Sequence, residues 1–210
     1  MEKKNPLDNK ARAERMADIF PHKDYYESKL PMQRKFENLR IDLIKRLCGN
    51  TIGKKILDIG IGDGLMAEKL AIDNLWGIDI SSKRCNRAKK RVPHATIIVE
   101  NAEKMKFEDD FFDGVICADV LEHATNPDKI INEMIRVTKK DGFIVVSLPN
   151  EPVFILARTL LLRNPFNPDH THWISKRYLL KRFKRKPTKI LNIPNLIYPF
   201  CLSHCYKFIK

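Results

Sequence analysis

The chain has 210 residues, of which 43% are apolar and 31% charged, and its formal net charge is +13. That length suits one ordinary domain with a sizeable core, and the composition excludes a disordered or fibrous chain. No apolar run approaches the roughly 18–20 residues that a membrane span requires, and Met1 to Arg15 is too charged to read as a secretory signal, so a cytoplasmic location is expected.

In chain order, the first fifty residues read as helical. Lys29 to Cys48 carries Leu39, Leu43, Ile44 and Leu47 at helical spacing and then meets Gly49 and Asn50 as a stop. Strand and helix alternate after that. Lys55 to Ile59 is a strand ending in glycines, Leu65 to Ala71 a helix, Leu75 to Ile80 a strand and Ser82 to Arg91 a helix. Ala95 to Val99 and Gly114 to Ala118 follow as strands, the latter led in by Phe111, Phe112 and Asp113. Pro127 opens a helix at its first position, where a missing N–H costs nothing; Ile130, Ile131, Met134, Ile135 and Val137 mark its buried face. Asp141-Gly142 reads as a turn into a fifth strand, Phe143 to Leu148. Beyond it lie an apolar stretch, Glu151 to Asn164, a loop from Pro165 to His172, a basic helix from Ser175 to Phe183, and two further strands, Thr188 to Ile193 and His204 to Ile209. The alternation predicts an α/β fold, a Rossmann-like, seven-stranded, mostly parallel sheet with helices on both faces. One domain is expected over 1–210, with a helical segment at 1–50, a core at 51–150 and a covering insertion plus final strands at 151–210. Ligands in such a sheet bind beyond the carboxyl ends of the strands.

The chemistry begins at Ile56-Leu-Asp-Ile-Gly-Ile-Gly-Asp-Gly64, where a buried strand ends in Gly60, Gly62 and Gly64 and a helix begins. Glycines allow the sharp turn and let a ligand approach the backbone. A dinucleotide dehydrogenase also places a glycine-rich turn there, but its third glycine would fall at Leu65. Gly77-Ile-Asp-Ile-Ser81 ends the second strand with an acid 19 residues after Gly60. Asp79 suits the diol of a ribose; the alternative is that it caps the next helix, a task that Ser81 or Ser82 could take instead.

With these motifs, and with Asn101-Ala-Glu-Lys-Met-Lys-Phe107, Phe112-Asp-Gly-Val-Ile116, Val120-Leu-Glu-His123, Lys139-Lys-Asp-Gly-Phe143 and Ser147-Leu-Pro-Asn150, the chain resembles the class I S-adenosylmethionine-dependent methyltransferases. Within them it is similar to the branch that includes the ubiquinone-biosynthesis O-methyltransferases. The resemblance covers about Lys54 to Asn150 and implies S-adenosyl-L-methionine as cofactor. It implies that Asp58, Gly60 and Gly62 line the methionine part, that Asp79 holds the ribose, and that Ile80 packs on the adenine. Asn101 and Ala102 would reach the adenine edge, and Ala118 would lie beneath the sulfonium. Asn101 stands where family members often carry aspartate.

Transfer from a sulfonium needs an aligned acceptor and the exclusion of water, and an oxygen acceptor may need a base. His123, just past the fourth strand, is the candidate, against a structural role in bonding a neighbouring loop. Asp119, Glu122 and His123, with His170 and His172 from a later loop, could instead hold a divalent ion; no metal is assigned. Cys201, His204 and Cys205 offer too few ligands for a zinc site, and the five cysteines are expected reduced.

An apolar wall of Phe154, Ile155, Leu156, Leu160, Leu161, Leu162, Phe166 and Trp173 would either cover the acceptor or simply cover the sheet. Eight Lys and Arg residues between Lys176 and Lys189, a stretch without an acid, favour an anionic partner or form a solvated face. The expected acceptor is a small molecule or lipid intermediate, anionic or amphiphilic, methylated on oxygen ahead of carbon or nitrogen, with peripheral membrane contact open. RNA is the rival acceptor, although Asp119-Val-Leu-Glu122 replaces the signature of base-amine methylation. A non-catalytic cofactor-binding protein is the rival of another class.

Overall fold

The computed structural model describes residues 6–19, 31–160, 172–193 and 203–210. The elements are α1 (Pro6–Ile19), α2 (Pro31–Cys48), β1 (Ile56–Ile59), α3 (Leu65–Leu70), β2 (Leu75–Asp79), α4 (Ser82–Arg91), β3 (Thr96–Val99) and β4 (Phe112–Ala118). A 3-10 turn (Leu121–His123), α5 (Pro127–Val137), β5 (Thr138–Pro149), α6 (Glu151–Leu160), α7 (Lys176–Phe183), β6 (Lys189–Ile193) and β7 (Ser203–Ile209) complete them.

The seven strands form one sheet in the order β3-β2-β1-β4-β5-β7-β6. The pairs from β3 through β5 are parallel, and β7 runs antiparallel to both β5 and β6. Strand order reverses between β1 and β4, which places the ligand crevice of a doubly wound sheet at the carboxyl ends of those two strands.

The sheet is covered on both faces. Leu57 and Ile59 pack on one side with Ile130, Ile131 and Met134 of α5 and Leu179 and Phe183 of α7. Ile56 packs on the other with α2, α3 and α4 through Ile44, Leu47, Met66, Leu70 and Cys85. The expected face of α5 holds except that Ile135 is only half-buried. Helix starts follow local chemistry: the side chains of Ser81, Asn126 and Ser175 accept from Arg84, Lys129 and Tyr178 backbone N–H groups.

Two expectations change. Asp141-Gly142 falls inside β5 rather than before it. The strand already begins at Thr138, and the pairing with β4 jumps from Phe112–Thr138 to Gly114–Phe143. Lys139 to Gly142 lie between those two pairs, opposite Asp113 alone on β4, with Asp141 at φ 61° and its N–H bonded to the Lys210 carbonyl at 3.3 Å. On α2, Leu39 is 41% exposed; the buried face is Glu37, Arg40, Ile41, Ile44, Leu47 and Cys48. A charged pair occupies two places in that helical stripe. The end of the stretch predicted helical after Glu151, and most of the following loop, lie outside the described residues.

Candidate active site at the carboxyl edge

The glycine-rich turn and the end of β2 are bonded into one unit. Gly60 and Ile61 donate their N–H groups to the Ile78 carbonyl at 2.8 and 3.0 Å. Gly62 donates to Asp79 Oδ2 at 3.1 Å, and Ser81 donates to Asp79 Oδ1 at 2.9 Å. Gly60 has φ +74°, and an added Cβ would overlap Val120 Cγ2. A side chain there would both strain the backbone and push on the segment after β4.

Asp79 does not cap α4. Ser81 does, accepting from Arg84 N at 3.2 Å, while the Asp79 carboxylate fixes the two loops on either side of it. Burial pushes the Asp79 carboxyl upward in pKa, against the bonds from Ser81 and Gly62.

Asp58 lies in β1 between β2 and β4 and is fully buried, and neither of its carboxylate oxygens has a hydrogen-bond partner. Burial, with the Asp79 charge acting in the same direction and Arg40 opposing, raises its pKa to about 8. A buried acid of this kind is incomplete alone, since unmet polar groups inside a protein are costly. An ammonium donor completes it. The residues present therefore fit S-adenosylmethionine: an acceptor at Asp58 and backbone freed of Cβ at Gly60 for its amino-acid end, and a carboxylate at Asp79 for its ribose.

Asn101 and Ala102 follow β3 and are half-buried, as are Ile80 and Ala118. The Glu100 N–H donates to the Asp79 carbonyl at 3.0 Å, which holds the β3 exit beside the β2 exit. Asn101 Oδ1 accepts from Glu103 N at 2.9 Å, forming a local turn and leaving a second lone pair.

On the β4 side, Asp119 sits at φ 53° with its N–H bonded to the Ser147 carbonyl at 3.1 Å. Its carboxylate accepts from Ser147 Oγ and is ion-paired with Arg40 of α2. Arg40 is 6% exposed and also pairs with Glu37 at 2.8 Å. Sequence reading passed over Arg40, although a cation inside an apolar helical stripe is the signal that marks it.

Glu122 is buried, and burial raises its pKa to about 8. His123 beside it is exposed, with its N–H bonded to the Val120 carbonyl at 3.0 Å. His172 donates its N–H to the Glu122 carbonyl at 3.2 Å, and its ring Nε2 lies 3.3 Å from the Thr125 carbonyl. The structure thus sets His172 against the turn that carries His123; His170 lies outside the described residues. Among the described residues no group of three or more His, Cys, Asp or Glu is arranged to hold a metal ion. Cys205 is buried in the sheet and His204 Nδ1 lies 2.9 Å from Asn192 Oδ1, while Cys201 lies outside the described residues. Leu156 and Trp173 are 59% and 62% exposed, so these two do not cover the sheet; the remaining members of the expected wall, apart from half-buried Ile155, lie outside the described side chains. The Lys176–Lys189 cations are all exposed, and no described helix is long and apolar enough to cross a membrane.

The sheet order and the bonded glycine turn define a Rossmann-like, doubly wound architecture with its crevice between β1 and β4. Residues 57–146 match the methyltransferase domain family. A ubiquinone biosynthesis O-methyltransferase of Dechloromonas aromatica is 38% identical over 122 residues, covering 53% of this chain and 51% of that protein. A demethylmenaquinone methyltransferase of Renibacterium salmoninarum is 31% identical over 147 residues, covering 68% and 60%. The chain thus spans about half to three fifths of the length of these relatives. Among solved structures, magnesium protoporphyrin IX methyltransferase from Synechocystis with bound S-adenosylhomocysteine shares the fold at TM-score 0.72 and 16% identity, covering 96% of this chain and 99% of that one. N-methyltransferase NodS from Bradyrhizobium japonicum does so at 0.71 and 17%, covering 96% and 98%. The chain therefore carries a methyltransferase domain over residues 57–146 and is similar to the ubiquinone-biosynthesis O-methyltransferases among the class I S-adenosylmethionine-dependent enzymes.

Proposed function

We propose that the chain transfers the methyl group of S-adenosylmethionine to an oxygen of a small-molecule or lipid-intermediate acceptor. The observation that carries this reading is the buried, unpartnered Asp58 carboxylate beside the Gly60–Gly62 turn and the Asp79 carboxylate, at the point where strand order reverses. When bound, the cofactor supplies a methyl group already activated on a sulfonium. The chain's own residues then have three tasks. Asp58 takes the ammonium and Asp79 the ribose diol, while Ile80, Asn101 and Ala102 bound the adenine. Ala118, the last residue of β4, forms the floor under the reacting centre. His123, on the exposed turn after β4, is the candidate to take the acceptor's proton; a base need only come within hydrogen-bond reach or one water of it.

The oxygen acceptor is supported by the names of the ubiquinone-biosynthesis relatives. Its amphiphilic and anionic character is supported by exposed Trp173, three residues before the basic helix α7, and by exposed Leu156 on α6. Such a surface also suits peripheral contact with an acidic membrane.

Calorimetric titration with S-adenosylhomocysteine and with NAD tests the cofactor, and labelled-methyl transfer to phenols, prenylated phenols and RNA tests the acceptor. Micromolar binding of S-adenosylhomocysteine alone and transfer to a phenolic oxygen are expected. Tight NAD binding without S-adenosylhomocysteine binding would reject the cofactor. A salt-resistant nanomolar RNA complex that is methylated would reject the small-molecule acceptor, since phosphate contacts weaken steeply as salt rises.

A further inference from the structure

Outside the segment 57–146, one helix reaches the nucleoside side of the site. Glu14 of α1 inserts its carboxylate into the start of α4. Its Oε2 accepts from Ser81 Oγ at 2.8 Å, and its Oε1 accepts from Ser82 N at 2.7 Å and Ser82 Oγ at 2.8 Å. Lys83 N lies at 3.4 Å from Oε2. Helix α4 has no acid in its own first turn, so this carboxylate, from 67 residues upstream of Ser81, supplies the negative charge that a helix N-terminus favours.

Ser81 is shared. Its N–H is held by Asp79 Oδ1, its Oγ accepts from Arg84 N, and the same Oγ donates to Glu14. Asp79, Ile80 and Ser81 are consecutive, so Glu14 is one bonded residue away from the acid assigned to the ribose. A second bridge runs in parallel. Arg87 of α4 donates Nη2 to the Ala17 carbonyl of α1 at 3.1 Å and Nε to Asp63 at 2.9 Å. Asp63 is 3% exposed and lies in the glycine turn between Gly62 and Gly64. Asp18 pairs with Lys83 at 2.6 Å at the rim. Both loops that would hold the cofactor are therefore tied, through one side chain each, to α1, and Ala17 is buried at 1% exposure against that junction.

We propose that Glu14 is a positioning residue of the cofactor site: it locks the 79–82 loop in its ligand-ready shape, so that docking of α1 and binding of the nucleoside half of S-adenosylmethionine reinforce one another. The inference rests on the cofactor reading above. Reciprocity follows from linkage: if the docked helix raises cofactor affinity, the cofactor must favour the docked helix by the same factor.

The test uses the full chain, with Glu14→Ala, Glu14→Gln and Ser82→Ala. S-adenosylhomocysteine affinity is measured by calorimetry, and amide hydrogen exchange is followed over 6–19 and over β1 and β4 with and without that ligand. Glu14→Ala should weaken binding about tenfold and Glu14→Gln less, with β1 and β4 protection in the free protein unchanged. In the wild-type protein the ligand should increase protection of 6–19, and in Glu14→Ala that increase should vanish, a response that a merely structural cap would not give. Should Glu14→Ala fold poorly, Ser82→Ala gives the same reading, with a smaller loss of affinity and a reduced ligand-induced protection of 6–19. Wild-type binding with unchanged affinity and unchanged ligand response in Glu14→Ala, or in Ser82→Ala in its place, overturns this inference alone. A wild-type chain that binds no S-adenosylhomocysteine overturns the cofactor reading and this inference with it.

Discussion

Gly62 gives its backbone N–H to Asp79 Oδ2 at 3.1 Å, so the turn after β1 and the acid at the end of β2 form a single bonded edge of the sheet. The carboxylate assigned to the ribose already works in the free protein, as the brace between two loops.

Asp79→Ala should therefore do two things. Loss of the charge-assisted bonds to a ribose weakens S-adenosylhomocysteine binding by about 1.5–3 kcal/mol. Loss of the acceptor for Gly62 and Ser81 also lowers the stability of the free protein, by about 1–3 kcal/mol. Calorimetry and chemical denaturation separate the two. Unchanged affinity in a folded Asp79→Ala protein would show that the ribose is held elsewhere.

With Asp58 as the acceptor for the ammonium, cofactor binding should be pH-dependent. Its folded pKa, raised to about 8 by burial first and by Asp79 second, lies above that of an unfolded aspartate near 3.9. Between those values the folded chain keeps a proton that the unfolded chain has lost, so this group's contribution to stability is full at low pH and is lost as pH rises toward 8. An ammonium needs the ionised form, so binding releases the proton. Affinity for S-adenosylhomocysteine should rise with pH by up to roughly tenfold per unit below that pKa and then level off. Titrations in buffers of different ionisation heat count the proton. Asp58→Asn should remove both the proton release and the slope; a wild-type affinity flat from pH 6 to 8 would contradict the assignment.

Arg40 joins α2 to the end of β4 through Asp119 and holds Glu37 at 2.8 Å. Arg40→Met should cost about 2–3 kcal/mol, below the usual cost of breaking a buried pair because Asp119 is 34% exposed. Arg40→Met with Asp119→Asn should recover part of it in denaturant titrations. Additive losses would show that the pair contributes nothing as a pair.

His123 and His172 should part company. The His172 ring lies 3.3 Å from the Thr125 carbonyl, while its backbone bond to Glu122 survives substitution, so His172→Ala should lower stability by about 1 kcal/mol and turnover little. His123→Ala should leave stability within about 0.5 kcal/mol, as an exposed site, and lower kcat by roughly 100-fold if it takes the acceptor's proton. Full turnover in His123→Ala would move the base elsewhere.

Much of the carboxyl edge of the sheet was legible because its signals are local. A strand running into Gly60-x-Gly62-x-Gly64 and an acid ending the next strand each follow from short-range backbone chemistry, as do the bounds of α4, set by Ser81 at one end. The sheet type followed from the alternation of elements. The distribution of polar residues inside helices was less legible: the apolar spacing on α2 put Leu39 on the wrong face, because Glu37 and Arg40 occupy buried positions that hydrophobic patterning assigns to solvent.

The sequence by itself determined the order of elements, the parallel sheet and the residues that end β1 and β2, since turn chemistry and periodicity act over a few positions. Only the tertiary structure decided that Arg40 meets Asp119, that Glu14 caps a helix beginning at Ser82, and that β5 begins at Thr138, before the break in the β4 ladder. Each depends on which distant segments share a buried boundary, and an ion pair or a borrowed cap between residues dozens of positions apart leaves no periodic trace in either partner.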